Sequence, residues 1–276
     1  MSASHEQSHP YHVLEPSPYP IATSFSLLLL VVGGVMWMHK HMWGMPVTMA
    51  GLLAVLICCF YWWRSTIREG IFDKAHNHVV QSGLRFGMTL FIASEVMFFV
   101  AFFWAFFNAS LFPRIFITDG PWDVLTGVAS WPPKGIETMN AWDLPLLNTL
   151  ILLFSGTTLN WAHYAILHNK KSDVTRGLAL TVALGVIFTA LQALEYSHAT
   201  FAMKDTVYGA TFYLATGFHG AHVLIGTMFI AVNLVRSMRG TLSQEGHLGL
   251  EFAAWYWHFV DVVWLFLFVF VYWWGA

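Results

Sequence analysis

The stretch LRFGMTLFIASEVMFFVAFFWAFF, residues 84–107, decides the fold class because it is long and apolar enough to cross a membrane. The hydrocarbon core of a bilayer is about 30 Å thick, and roughly 20 helical residues span it. Glu95 lies near the middle of this run, and the residues one helical turn away from it are Phe or Ile. Burying a bare carboxylate at that depth costs several kcal/mol. We therefore expect Glu95 to carry a proton or to pair with a group on another helix.

Two interpretations of Glu95 remain open from the sequence. Ionisable residues inside membrane spans commonly mark proton, ion or substrate sites. A neutral acid that joins two helices by a single hydrogen bond is the structural alternative.

The composition of the whole chain is that of a membrane protein. Of its 276 residues, 57% are hydrophobic and only 10% are charged, and the mean hydropathy is +0.58. A formal net charge of −2 argues against nucleic acid as a partner, because no basic stripe is present to replace counterions. The polar segment 1–20 contains no Lys or Arg, so it resembles neither a signal peptide nor an Arg-rich transit peptide.

Apolar runs of membrane length predict an all-α, polytopic protein in which one seven-helix domain covers residues 21–276. The predicted spans are 21–38, 45–63, 84–107, 144–167, 178–197, 208–235 and 250–274.

The distribution of basic residues predicts the orientation of these spans. Nine lie in or beside the loops 2–3, 4–5 and 6–7: Arg64, Arg68, Lys74, Arg85, Lys170, Lys171, Arg176, Arg236 and Arg239. Four lie on the opposite side: Lys40, Arg114, Lys134 and Lys204. We expect the basic side, with the N-terminus, to be inside and the C-terminus to be outside.

Helix 6 carries two histidines one turn apart on one face, His219 and His222. Such a pair suits a metal or haem, but no carboxylate in that turn completes a ligand set, so interhelical hydrogen bonding is the favoured interpretation. Gly217 and Gly220 flank the pair and are expected to let another helix approach closely.

Helix 7 has a polar stripe on an otherwise aromatic helix, formed by Glu251, His258 and Asp261 around Trp255. His258 and Asp261 are close enough along the helix to pair, as part of a proton relay or as a brace between helices. Helix 4 contributes four further polar residues, which we expect to form interhelical hydrogen bonds: Asn148, Ser155, Thr158 and Asn160.

A third polar cluster is predicted at the inner membrane surface, where Trp, Tyr, Arg and His residues meet. This combination is typical of any membrane anchor and also of a site for an anionic phospholipid. The two cysteines, Cys58 and Cys59, are adjacent on a helix, which suits neither a disulfide nor a chelate. No spaced Cys and His set for copper or haem is evident, so we predict no metal site, no redox centre and no catalytic residue in this chain.

Long motifs spread over nearly the whole chain resemble subunit III of the haem–copper cytochrome c oxidases. They are YWWR at 61–64, RFGMTLFIASEVMFFVAFFWAFF at 85–107, WPPKGI at 131–136, PLLNTLILLFSG at 145–156, LQALEYSHA at 191–199, YGATFYLATGFHGAHVLIGT at 208–227 and AAWYWHFVDVVWLFLFVFVYWWG at 253–275.

This resemblance implies that helices 1 and 2 are splayed from a bundle of helices 3–7, with phospholipid in the cleft. It implies a non-catalytic core subunit of a proton-pumping enzyme that passes electrons from cytochrome c to oxygen. The chain would stabilise the catalytic subunit and support proton uptake, while haem and copper are held in partner subunits. The expected partners are oxidase subunit I as the main contact, subunit II, small accessory subunits and respiratory supercomplexes. The expected location is the bacterial cytoplasmic membrane or the mitochondrial inner membrane.

The resemblance also assigns site residues. The family glutamate that reacts with hydrophobic carbodiimides corresponds to Glu95. The family's lipid contacts correspond to Trp62, Arg64, Glu69, His76, His222, Arg236 and Arg239. Ser65 stands where the family often has an acidic residue, and HNH at 76–78 replaces adjacent histidines, which leaves open whether His76 or His78 is the lipid contact.

Two other functions are weighed against this one. Subunit III of a quinol oxidase has related chemistry, but in that relative the first two helices are typically missing. A seven-helix proton-coupled transporter would need a polar path from Glu95 to both membrane faces, and the Phe-rich surroundings of Glu95 argue against one.

Overall fold

The computed structural model describes residues 11, 16–113, 130–133, 135–204 and 206–276, and its regular secondary structure within these ranges is entirely helical. Seven long helices are present in the described chain: α1 Tyr19–Met38, α2 Gly44–Ile71, α3 His78–Leu111, α4 Leu144–Leu167, α5 Lys171–His198, α6 Val207–Met238 and α7 Leu248–Phe266, which continues as a π-helix over Leu267–Trp273. Each of the seven is long and apolar enough to cross a membrane. The predicted fold class is therefore confirmed. The predicted polar segment 1–20 lies mostly outside the described residues, and α1 begins within it at Tyr19.

Most helices are longer than their predicted spans. Helix α2 runs on to Ile71 past Arg64 and Arg68, α3 starts at His78, and α5 starts at Lys171. Hydropathy detects only the part of a helix that matches hydrocarbon. The helix itself continues wherever its backbone hydrogen bonds are satisfied and its charged side chains reach water.

The chain divides into two compact units, Met1–Leu84 and Arg85–Ala276. In the first unit, α1 and α2 pack as a close hairpin. A Cβ atom at Gly33 would come within 2.5 Å of the Thr48 nitrogen, and one at Gly51 within 2.5 Å of the Leu30 nitrogen. Only glycine permits backbones to approach this closely, as is common between membrane helices. The predicted splay of helices 1 and 2 from the others stays a prediction.

Helix α7 forms the centre of the second unit. In the most apolar 18-residue stretch of α7, counted with its π-helical continuation, 61% is buried. The corresponding share is 11% in α3 and 33–44% in α4, α5 and α6. Trp257 and Trp264 are fully buried, and their indole nitrogens donate to Ser155 Oγ at 2.8 Å and to Thr149 Oγ1 at 2.9 Å on α4. The two buried N–H groups are thus satisfied by hydroxyls of the neighbouring helix.

An ion pair links the first turns of α7 to the part of α3 that belongs to this unit. Arg85 donates from Nε and Nη2 to the two carboxylate oxygens of Glu251, each at 2.9 Å. Glu251 therefore pairs with α3, whereas the more distant polar residues of α7 bond elsewhere. At the opposite end, the ring of Phe107 on α3 lies 6.0 Å from the ring of Trp274, directly after the π-helix that continues α7. Helices α3 and α7 consequently run in the same direction, as an alternating seven-span topology requires.

Within the described chain, no helix makes the close approach that Gly217 and Gly220 were expected to allow. A Cβ atom at either position would meet no atom within 4 Å. The close approaches of this unit occur at other glycines, among them Gly156, where a Cβ would come within 2.6 Å of Asp261 Oδ2. A glycine motif marks where a helix permits approach, but the orientation of the helix decides whether a neighbour uses it.

Candidate functional site

Glu95 pairs with a histidine of another helix. Its Oε2 lies 2.9 Å from Nε2 of His222 on α6, and the other ring nitrogen, Nδ1, lies 2.7 Å from the Phe218 carbonyl oxygen. The Glu95 side chain is 23% exposed and that of His222 is 11% exposed. The expected interhelical partner of Glu95 is thus His222, which the resemblance had placed among lipid contacts.

The hydrogen-bond pattern restricts the protonation of this pair. A carbonyl oxygen only accepts, so Nδ1 of His222 must donate to Phe218. Nε2 then either carries a second proton and donates to the Glu95 carboxylate, or accepts the proton of a neutral Glu95 carboxyl. Both arrangements hold one proton between Nε2 and Oε2 and have no net charge. An uncharged pair suits a membrane span far better than a lone carboxylate.

Aromatic rings enclose the imidazole of this pair. The ring of Phe99 lies 4.9 Å from that of His222 in an edge-on geometry, and the ring of Tyr256 lies 6.3 Å away and nearly parallel. Phe98 packs against Phe218, one turn before His222 on α6, at 5.1 Å. This environment leaves Glu95 and His222 with few polar neighbours. It therefore favours a local hydrogen bond over a chain of hydrogen-bonded groups that could carry protons to either membrane surface.

The two histidines of helix 6 do not point to a common centre. Nε2 of His219 lies 3.2 Å from the Val260 carbonyl oxygen on α7, while His222 faces Glu95 on α3. His219 is fully buried, and its Nδ1 has no partner among the described residues. The two histidines thus connect α6 to two different helices, His219 to α7 and His222 to α3.

His258 and Asp261 of α7 meet helix α4. The His258 Nδ1 atom lies 3.2 Å from Asp261 Oδ2, and its Nε2 atom lies 2.9 Å from Asn160 Oδ1. The absence of a side chain at Gly156 leaves the space that Asp261 occupies. The arrangement is a three-residue hydrogen-bonded group, Asn160–His258–Asp261, spanning α4 and α7.

The other polar residues of α4 also bond to neighbouring helices. Thr158 Oγ1 lies 2.8 Å from Thr181 Oγ1 on α5, Asn148 donates to Gln192 on α5 at 3.5 Å, and Ser155 accepts from Trp257 as described above. With Thr149 and Asn160, five side chains of α4 therefore bond to α5 or α7.

A further carboxyl within a predicted span, Glu195 on α5, was not predicted as a site residue from the sequence. It is only 4% exposed and accepts from the Tyr272 hydroxyl at 2.7 Å and from the Gln192 amide at 3.3 Å. Its Oε2 has no partner among the described residues, and the residue lines a cavity of about 240 Å³ beside Asp143 and His198. The sequence signal that could have identified Glu195 is the one that identified Glu95, namely a carboxylate inside an apolar span.

The residues expected to contact lipid occur in both units. In the first, Trp62 and Arg64 are exposed near the end of α2, Glu69 accepts from the Ser65 hydroxyl at 3.1 Å, and His76 packs against Gly70. Ser65, which stands where the family often has an acidic residue, thus bonds to Glu69 one helical turn later on α2.

In the second unit, two arginines lie at the end of α6. Arg236 donates to Asn233 Oδ1 and to the Gly246 carbonyl, each at 3.3 Å, and its Nε has no partner among the described residues. Arg239 is exposed. Arg236 therefore has a structural role in the loop between α6 and α7, whereas Arg239 is available to an anion.

Within the described ranges, no three His, Cys, Asp or Glu side chains stand close enough together to hold a metal ion.

Comparison with known proteins identifies the family. The family described as cytochrome c oxidase subunit III matches residues 9–276. A probable cytochrome c oxidase subunit 3 of Rickettsia felis is 52% identical over 272 residues, covering 98% of this chain and 97% of the relative. Cytochrome c oxidase subunit 3 of Arabidopsis thaliana is 52% identical over 270 residues, covering 98% of each chain. That of Prototheca wickerhamii is 53% identical over 270 residues, covering 98% of this chain and 99% of the relative. With its seven apolar helices, the chain belongs to the cytochrome c oxidase subunit III family, the membrane subunits of a respiratory-chain oxidoreductase.

Proposed function

We propose that this chain is a non-catalytic core subunit of a proton-pumping cytochrome c oxidase. It stabilises the catalytic subunit I, contacts subunit II and small accessory subunits, and leaves haem and copper to those partners. It lies in a bacterial cytoplasmic or mitochondrial inner membrane with its N-terminus inside and its C-terminus outside.

The single observation that carries this proposal is how the intramembrane imidazoles are used. His222 and His258 each have both ring nitrogens within hydrogen-bond distance of protein atoms, and His219 has one. A histidine that ligates haem or copper needs one nitrogen free for the metal. Of the three, only His219 keeps such a nitrogen, and within the described ranges it belongs to no group of three His, Cys, Asp or Glu side chains that could complete a metal site. The polar groups of the spans therefore serve contacts between helices, as expected of a scaffold.

Phospholipid binding is the second part of the proposal. Arg64 in the first unit, near the end of α2, and Arg239 in the second, directly after α6, are both exposed. Arginine is well suited to phosphate because its planar guanidinium donates two parallel hydrogen bonds. Exposed Trp62 and Trp63 beside Arg64 are typical of the headgroup region, where an amphipathic ring is stable.

Support of proton uptake is the third part. Glu95 and His222 hold one proton between them in a span, so their contribution is to keep this region uncharged and rigid rather than to conduct protons. Proton uptake is then supported indirectly, through the position of the catalytic subunit and its lipid.

Purification of the tagged chain from its own membranes in mild detergent tests the proposal. We expect it to copurify with polypeptides that hold haem and copper and oxidise cytochrome c. When the chain is then dissociated, the haem absorption bands and the copper should stay with the other polypeptides. A chain that purifies alone, or that retains stoichiometric haem or copper, contradicts the proposal.

A further inference from the structure

The Asn160–His258–Asp261 group lies inside the membrane spans but reaches the surface of the unit. His258 is the eleventh residue of α7, about 15 Å along the axis from Leu248, which is close to the middle of a bilayer. Its side chain is 40% exposed, and Asn160 is exposed. The described part of the chain therefore presents an imidazole and a carboxamide at mid-membrane depth.

The hydrogen-bond inventory of this group is incomplete. Asn160 Oδ1 is used by His258, but the two amide hydrogens of Asn160 have no acceptor among the described residues. Asp261 Oδ1 is buried and also has no partner there. If the amide is turned over, its oxygen is left without a donor instead. Either way, the exposed end of Asn160 needs a polar partner from outside.

Lipid tails are a poor cover for such a surface. Acyl chains offer neither donors nor acceptors, and an unsatisfied polar group in hydrocarbon costs several kcal/mol. Polar residues in membrane spans accordingly face other protein or water.

The surface around Asn160 is aromatic. Tyr164, one helical turn along α4 from Asn160, is 58% exposed, and the adjacent Trp161 is 40% exposed. A polar centre bordered by large aromatic side chains is typical of protein–protein interfaces, where aromatic anchors exclude water from the hydrogen bonds between them.

We propose that this face of α4 and α7 is the surface that docks a transmembrane helix of another oxidase subunit, and that this helix presents a hydroxyl or carboxamide side chain to Asn160. Hydroxyl and carboxamide groups both donate and accept, so they satisfy either orientation of the Asn160 amide. This inference rests on the proposed function, because it requires that the chain be assembled with other membrane subunits.

Photocrosslinking in the assembled complex tests the inference. Benzoylphenylalanine replaces Trp161 on the proposed face and, as a matched control, Met228, which is 59% exposed on α6. We expect irradiation of the Trp161 variant to give a crosslink to a different oxidase polypeptide, identified by mass spectrometry. The Met228 variant should not crosslink to that same peptide.

The outcomes separate the two proposals. Crosslinks at position 161 to lipid only, or to a second copy of this chain, overturn the docking surface while the chain still copurifies with oxidase subunits. If no oxidase subunit copurifies with either variant or with the unaltered chain, the proposed function itself fails.

Substitution of Asn160 gives an independent readout. Interhelical hydrogen bonds in membranes contribute on average about 0.6 kcal/mol and at most about 1.7, so Asn160→Leu should raise the dissociation constant of the chain from the complex by roughly three- to twentyfold. Asn160→Gln, which keeps the carboxamide, should restore most of the affinity. Equal retention of the Leu and Gln variants in detergent argues that Asn160 contacts no polar side chain of another subunit.

Discussion

At the residue scale, the central feature is the hydrogen bond between Glu95 and His222. It explains how a carboxyl can sit in the middle of a Phe-rich span, because the pair as a whole is uncharged. The same reasoning makes the amide of glutamine a fair substitute for the carboxyl, since an amide N–H can donate to His222 Nε2.

Glu95→Gln is therefore expected to leave assembly and the number of protons pumped per electron unchanged. The measurement is proton release by the reconstituted oxidase during turnover. Loss of pumping in a fully assembled complex would make Glu95 a proton-transfer site.

Removing the carboxyl altogether should have a larger effect. Glu95→Leu leaves Nε2 of His222 without its partner, and an unsatisfied buried polar group costs about 1–3 kcal/mol. The free energy of unfolding in mixed micelles should fall accordingly for Glu95→Leu and hardly change for Glu95→Gln. An unchanged free energy of unfolding for Glu95→Leu would show that the hydrogen bond contributes nothing.

Arg239 allows a direct test of lipid binding, because it is exposed, whereas Arg236 also holds the loop after α6. Arg239→Ala should reduce the acidic phospholipid that copurifies with the complex, as counted by mass spectrometry. Arg176→Ala is the matched control, since Arg176 is 70% exposed near the start of α5 and pairs only loosely with Asp173 at 3.7 Å. The same lipid stoichiometry in both variants would reject the assignment of Arg239.

At the element scale, the packing of α4 on α7 depends on an empty space at Gly156. A Cβ atom there would lie 2.6 Å from Asp261 Oδ2, so the Asp261 side chain or the helices must shift. Overpacking of this kind destabilises by about 1–3 kcal/mol.

Gly156→Ala should thus lower the thermal stability of the purified protein in detergent. Gly220→Ala is the control, because its Cβ would meet nothing within 4 Å and alanine is the better helix former. We expect the control to be neutral or slightly stabilising. A destabilisation of similar size at both positions would contradict this account of the α4–α7 contact.

The contact of Ser155 with Trp257 gives a second prediction at this scale. Ser155→Ala leaves the buried Trp257 N–H without an acceptor, which should lower the free energy of unfolding by about 1–3 kcal/mol. Ser94→Ala is the control, since Ser94 is exposed and donates only to the Phe91 carbonyl of its own helix at 2.7 Å. Combining Ser155→Ala with Trp257→Phe should cost less than the sum of the two single changes.

At the scale of the whole molecule, the proposed orientation follows from nine basic residues on one side of the membrane and four on the other. Ser243 lies in the loop between α6 and α7 on the basic side, and Met203 lies in the loop between α5 and α6 on the other side. An impermeant maleimide should label Met203→Cys in membranes with their outer face exposed and Ser243→Cys in inverted membranes. The unaltered chain, with Cys58 and Cys59 inside α2, provides the background, and the reverse labelling pattern would invert the topology.

The sequence by itself determined the membrane class, the seven helices and the family, because hydropathy and long motifs are properties of contiguous residues. Glu95 could be found in this way, and Glu195 could have been, since a carboxylate in an apolar run is visible without a partner. Only the tertiary structure decided that Glu95 faces His222, that Arg85 binds Glu251, that Gly156 rather than Gly220 admits a neighbour, and that Asn160 is joined to His258. These contacts depend on how each helix is rotated about its axis. That rotation is set by the combined packing of several helices, in which α7 is the most buried, and no single helix encodes it.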